Sequence, residues 1–252
     1  MDLGLSGRRA LVTGASSGLG FGTAAALIAE GVEVTIVSRS EDRLDKAKAN
    51  LLDSVPTATV HTLAADVADI ASVSTMVRAA EQLMGGVDIL IANAGGPSPG
   101  GFESTELDAY MPALELNLLS TIAMCQATVP AMRKRGWGRV VAITSITVRE
   151  PNPNLILSNT ARAGLTGFLK TLAREVAGDG VTVNSLQPGL HRTARVTALY
   201  DDPTEVLATI PAGVFGEADD FGRVAAFLCS DSARFITGAA VPLDGGAGHG
   251  LQ

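Results

Sequence analysis

The chain has 252 residues, 46% hydrophobic and 18% charged, and its 19 basic against 26 acidic side chains leave a net charge of −7. That balance offers no basic excess to neutralise phosphates, which excludes nucleic acid as a partner, and the apolar share excludes a disordered chain. Cys125 and Cys229, the only cysteines, cannot build a disulfide framework, and no Cys/His spacing predicts a metal site.

The N-terminal residues show no basic segment followed by a long apolar stretch, so no signal peptide is expected and the expected location is the cytoplasm. Residues 10–13 predict a buried strand that runs into a glycine-rich turn, and 21–30 a helix stopped by Gly31. A strand over 32–38, a polar helix over 41–53, a strand over 57–65 and a helix over 70–84 follow. Residues 87–92 predict the fourth strand and 107–135 a mostly helical stretch. Its apolar part, 111–132, approaches the length of a membrane span. Glu115, Asn117, Gln126 and two prolines inside it would be costly in lipid, so it reads as buried helix and no membrane contact is expected. Then come a strand over 139–144, a helix over 157–177, a strand over 181–186, a helix over 217–229 and a last strand over 239–243.

This alternation predicts an α/β fold: a doubly wound, Rossmann-like parallel sheet of about seven strands with helices on both faces. No linker or repeat interrupts it, so residues 1–252 are expected to form one domain. Residues 188–217 are too long for an ordinary connection and predict a lid over a site.

The strongest chemical signal is Thr13-Gly14-Ala15-Ser16-Ser17-Gly18-Leu19-Gly20, placed between the first strand and the first helix. Glycines there let the backbone turn sharply and let a pyrophosphate approach the helix N-terminus, where free N–H groups and the dipole favour an anion. The second strand ends Val37-Ser38-Arg39. An acidic residue at that place would hold the ribose 2′-hydroxyl of NAD, whereas an arginine accommodates a 2′-phosphate. Arg39, with the hydroxyls of Ser16 and Ser38, therefore predicts NADP(H), with NAD(H) the alternative.

The spacing G-x-x-x-G-x-G behind a threonine resembles the short-chain dehydrogenase/reductase family, and further matches span nearly the whole chain. Asn93-Ala94-Gly95 is similar to the family's N-N-A-G, with Ala92 in place of the first Asn. The resemblance implies an adenine-contacting pair at Asp66 and Val67, although Asp66 also reads as a local helix cap. It implies a catalytic-site asparagine at Asn117 and the catalytic serine at Ser145. It also implies a nicotinamide-side segment at 184–193 that includes Pro188, Gly189, Leu190 and Thr193, and a matching C-terminal strand at 238–246. The family's Y-x-x-x-K aligns with Ser158 and Arg162, in a stretch reading L-S-N-x-x-R. The family Tyr moves the proton, and its Lys lowers the Tyr pKa and holds the nicotinamide ribose. A serine hydroxyl is a far weaker acid, and an arginine holds charge and ribose hydroxyls but cannot relay a proton.

The expected activity is therefore an NADP(H)-dependent oxidoreductase interconverting a carbonyl and an alcohol of a small molecule, similar to the 3-oxoacyl-acyl-carrier-protein reductases but lacking their Tyr. Asn117, Ser145, Ser158 and Arg162 are its catalytic candidates. The alternative is a dinucleotide-binding sensor or structural protein without turnover. His191, just after Pro188-Gly189, is weighed as a substitute acid against an ordinary loop histidine. Arg149 and Glu150 are weighed as binders of a charged substrate against solvated loop charges. The small and apolar residues of 107–132 and 157–177 exceed what one sheet face needs, which marks an interface. In the family these helices build a dimer and the last strand a second contact, implying a homotetramer, with a dimer as fallback.

Overall fold

The computed structural model describes residues 2–194, 196 and 206–250. Seven strands form one parallel sheet: β1 (Arg9–Thr13), β2 (Glu33–Ser38), β3 (Val60–Ala64), β4 (Ile89–Ala92), β5 (Gly138–Ile143), β6 (Val181–Pro188) and β7 (Ala240–Leu243), in the order β3-β2-β1-β4-β5-β6-β7. The order reverses between β1 and β4, whose registers pair Ala10 with Ile89 and Val12 with Ile91. A parallel sheet of this kind leaves a crevice at the carboxyl ends of the strands on either side of the reversal.

Alternation along each strand feeds two separate cores. Val12, Ile36, Ile91 and Val141 face helices α1 (Gly18–Ala29), α2 (Glu41–Ser54) and α7 (Ala218–Cys229), while Leu11, Val37, Leu90 and Val140 face α3 (Ile70–Met84), α5 (Ser120–Arg135) and α6 (Ile156–Val176). Helices α1 and α7 touch backbone to backbone: a Cβ on Gly22 would sit 2.2 Å from Ala218 O, and one on Gly222 would sit 2.1 Å from Gly22 O. The thiols of Cys125 and Cys229 are buried and free, each pushed up to about 12 by that burial, and serve as packing groups. Among the described residues no helix is long and apolar enough to cross a membrane.

The predicted elements are present, with shifted ends. Helix α1 starts at Gly18, not residue 21, because the glycine-rich turn passes directly into helical backbone. Gly31 follows the end of α1 with φ 76°, the left-handed conformation its place as a helix stop requires. The single helix expected over 107–135 is divided: a 3₁₀ turn (Leu107–Ala109), α4 (Tyr110–Leu114), a π turn (Glu115–Leu119) and then α5. A π turn carries one extra residue and re-aims the side chains on it; here it carries Asn117.

At the amino ends of the strands, Asp88 is buried between two arginines. Its Oδ2 accepts from Arg9 Nε at 2.7 Å, and Arg135 Nε lies 3.3 Å from Oδ1. Burial pushes the Asp88 carboxyl up. The hydrogen bond from Arg9 and the charges of Arg9 and Arg135 outweigh that and hold it below the usual range. Asp88→Ala is expected to cost about 3 kcal/mol, because it leaves two guanidiniums facing a buried wall, and so to lower Tm by about 6–12 °C. A carboxyl with a depressed folded pKa contributes fully above its unfolded pKa of about 4 and loses that contribution as pH falls through the lower folded value. Thermal melts from neutral pH downward check both points. The wild type loses its advantage over the variant only at acid pH, and coincident melts at neutral pH count against the pair as a support.

Candidate active site

A cavity of about 490 Å³ opens at the carboxyl ends of the strands flanking the order reversal. Gly14 and Ser16 after β1, Ser38 and Arg39 after β2, Asp66 and Val67 after β3, and Asn93, Ala94 and Gly95 after β4 all line it. Sequence reasoning missed Ser40, Arg43, Gly96 and Leu116 in the same wall. Arg43 was findable. Ser40 caps α2, its Oγ accepting from Arg43 N at 3.4 Å, which puts Arg43 one helical turn beyond Arg39. Neither guanidinium has a protein partner among the described residues, and both line the cavity at the end of β2, with Asp66 the carboxylate in the same wall.

The glycine-rich turn is built around Asn93. Thr13 Oγ1 donates to Asn93 O at 2.7 Å and accepts from Asn93 N at 2.9 Å, and Asn93 Nδ2 donates to Gly14 O at 3.1 Å. Gly14 and Gly18 have φ of 57° and 59°, and a Cβ on Gly20 would stand 2.4 Å from Gly14 O. Ser17 occupies the N-cap position of α1, yet its side chain makes no capping bond. The first N–H groups of α1 are thus left for an outside acceptor. Leu19 is partly buried and packs its side chain against the core. The hydroxyl of Ser38 is engaged locally, donating to Ser40 O at 3.3 Å and accepting from Ser40 N at 3.4 Å. Asp66 Oδ1 accepts from Ala68 N at 3.0 Å, while the N-cap position of α3 belongs to Asp69.

Pro188 ends β6. Gly189 donates to Leu243 O at 2.8 Å, and a Cβ on it would stand 2.7 Å from Asp244 Cα. Thr193 then reaches the glycine-rich turn, with Cγ2 3.5 Å from where a Gly18 Cβ would be. The ends of segment 188–217 are clasped, since Gly216 donates to Leu190 O at 3.0 Å and Arg192 to Gly216 O at 2.8 Å. Of the lid expected there, 195 and 197–205 lie outside the described residues.

The four catalytic candidates gather where β5, the π turn and α6 meet. Asn117 is buried, and its Nδ2 donates to Gly95 O at 2.8 Å while its Oδ1 has no partner among the described residues. The π turn packs on α6, which carries Ser158 and, one turn on, Arg162. Arg162 Nη1 donates to Thr144 O, the carbonyl just before Ser145. Ser158 is buried, and its hydroxyl has no hydrogen-bond partner among the described residues. Ser145 Oγ accepts from both Thr147 N, at 3.1 Å, and Thr147 Oγ1, at 3.0 Å.

Three further candidates are used structurally. His191 is 5% exposed and stands edge-on to Phe221 with centroids 5.2 Å apart, and burial lowers its pKa. Its ring is wedged against Gly216 rather than presented to the cavity. Arg149 is tied to Gln187 Oε1 and Ala240 O, each at 2.6 Å. Glu150 Oε1 accepts from Gly250 N at 3.0 Å, and its Oε2 pairs with His249 Nδ1 at 3.1 Å.

A family model described as enoyl-(acyl carrier protein) reductase matches residues 14–248. The 3-oxoacyl-acyl-carrier-protein reductase FabG of Salmonella typhimurium is 36% identical over 245 residues, covering 97% of this chain and 98% of its own. Among solved structures, L-sorbose reductase from Gluconobacter frateurii, complexed with NADPH and L-sorbose, superposes with a TM-score of 0.93 at 31% identity over 100% of both chains. An NADPH-bound short-chain oxidoreductase from Pseudomonas aeruginosa PAO1, described as containing an atypical catalytic center, gives a TM-score of 0.92 at 29% identity over 98% of this chain and 99% of its own.

Proposed function

The chain belongs to the short-chain dehydrogenase/reductase family of oxidoreductases, and from that premise we propose that it is an NADP(H)-dependent enzyme interconverting a carbonyl and an alcohol of a small molecule. One observation carries the reading. The cavity has two unpartnered guanidiniums, Arg39 and Arg43, at one side, and at the other its wall is bonded through Gly95 to Asn117, beside the cluster of Ser145, Ser158 and Arg162. The residues fit a dinucleotide phosphate: Gly14 and Gly18 give the turn its left-handed backbone, Gly20 lets α1 approach Gly14 O more closely than a Cβ allows, and α1 starts with unsatisfied N–H groups. When bound, NADPH supplies the hydride to the carbonyl carbon. Ser145 and Ser158 then donate hydrogen bonds to the carbonyl oxygen as it receives the C=O electron pair. Arg162 adds fixed positive charge, anchored through Thr144 O, and the oxygen takes its proton from water, since neither a serine nor an arginine is an acid near neutral pH.

The assembly in this reading is a homotetramer, with a dimer as fallback. Ala163, Gly164 and Gly167 leave an exposed strip of small residues on α6, and Phe235, near the edge strand β7, is fully exposed. A second reading, a cofactor-binding sensor, is favoured by Ser158 and Arg162 standing where the family has Tyr and Lys. Fluorescence titration with NADPH and NADH, followed by 3-oxoacyl thioesters, quinones and small ketones in the same cuvette, separates the two. Tighter binding of NADPH with loss of reduced cofactor on adding a carbonyl is expected. Tight binding with no consumption by any of them would turn the conclusion to the sensor.

A further inference from the structure

Resting on the oxidoreductase reading, we infer that Thr147 is a positioning residue that fixes and polarises the hydroxyl of Ser145. A serine hydroxyl has one proton and two acceptor lone pairs. When Ser145 donates its hydrogen bond to a substrate oxygen, Thr147 fills both acceptor positions, with its backbone N–H at 3.1 Å and its hydroxyl at 3.0 Å. The only direction left for the Ser145 O–H is outward. Thr147 is 8% exposed, and its hydroxyl has no other partner among the described residues, so it is held dry for this one bond.

The turn itself is anchored at both ends. Ser145 caps the 3₁₀ turn Ile146–Val148, with Val148 N donating to Ser145 O at 3.3 Å. Arg149, the next residue, is pinned to Gln187 and Ala240. Neither hydroxyl can therefore drift from the other. A donor that is itself receiving a hydrogen bond is a stronger donor, and the gain is larger in a poorly solvated site. In a site without a phenolic acid, stabilisation of the developing oxyanion falls on such donors, which makes the orientation of Ser145 matter more here than where a Tyr shares the task.

The test uses the full chain, NADPH and the carbonyl turned over fastest. Thr147→Val removes only the hydroxyl and keeps the backbone bond to Ser145. It is expected to lower kcat about tenfold, because the Ser145 hydroxyl is then free to turn away from the oxyanion, with carbonyl KM and NADPH Kd unchanged and Tm lowered by no more than a few degrees. Thr147→Ser is expected to restore kcat to within a few-fold, and Thr147→Ala gives the same comparison should the valine variant fold poorly. Ser145→Ala and the double variant Ser145→Ala/Thr147→Val are expected to be equally slow, since without Ser145 the threonine has nothing to orient. Wild-type kcat in Thr147→Val, no rescue by Thr147→Ser, or a double variant slower than Ser145→Ala by the full factor overturns the inference alone. Wild-type turnover in Ser145→Ala, or no turnover by the wild type with any carbonyl, overturns the reading beneath it as well.

Discussion

Arg39→Asp combined with Arg43→Ala is expected to weaken NADPH binding by about two to three orders of magnitude and to leave NADH binding within a few-fold. The ribose 2′-phosphate is the only group that separates the two cofactors, and it is dianionic or nearly so near neutral pH. Each charge-assisted hydrogen bond to it contributes about 1.5–3 kcal/mol. Both guanidiniums are exposed, so salt screens them and the lower half of that range applies; two such bonds then give about 3–4 kcal/mol. The introduced aspartate repels the phosphate and offers an acceptor to the 2′-hydroxyl of NADH, which limits the loss there. Arg43→Ala alone is expected to cost about tenfold, and the loss should shrink as ionic strength rises. Titrating both cofactors at low and high salt reads all of this. An unchanged NADPH-to-NADH ratio in the double variant would remove the arginine pair from the cofactor site.

Gly20→Ala is expected to lower NADPH affinity about a hundredfold and to destabilise the fold by about 1–3 kcal/mol. The added Cβ would stand 2.4 Å from Gly14 O and 2.8 Å from Asn93 Nδ2. Gly14 O cannot swing aside, because the turn that carries it is tied to β4 through the Thr13–Asn93 and Asn93–Gly14 bonds. The start of α1 must therefore retreat from the turn, and the N–H groups that would face the pyrophosphate retreat with it. Gly178→Ala is the control. It lies in an exposed 3₁₀ turn with nothing within 4 Å of the added atom, so it should bind NADPH as the wild type does. Equal affinity in Gly20→Ala would mean that the cradle is not where the cofactor phosphates sit.

Much of the site was legible in the chain because its residues occur at the ends of strands. Gly14, Arg39, Asp66 and Asn93 each follow a predicted strand, and a parallel doubly wound sheet must bring those four ends to one edge. Arg43 escaped notice because it lies inside the predicted helix 41–53 rather than at the end of a strand. Capping of α2 by Ser40 puts Arg43 one helical turn after Arg39, in the wall of the same cavity. Thr147 escaped because a 3₁₀ turn of three residues has no periodicity to detect. The π turn at Asn117 escaped because residues 111–132 are apolar around much of the helix, so the phase shift of one extra residue leaves no visible break in the pattern.

By itself the sequence determined the sheet, its helices and the glycine-rich turn between β1 and α1. Each of these rests on local pattern: strand and helix periods, turn glycines, and residue types at fixed spacing. Only the tertiary structure decided what the side chains do. It turned His191 onto Phe221, tied Arg149 to Gln187 and Glu150 to the tail at His249, closed the hydroxyl of Ser38 into its own turn, and aimed Thr147 at Ser145. Period and spacing specify which face of an element a residue occupies. The partner it meets there is set by a segment distant in the chain, and so becomes fixed only when the sheet has brought the two together.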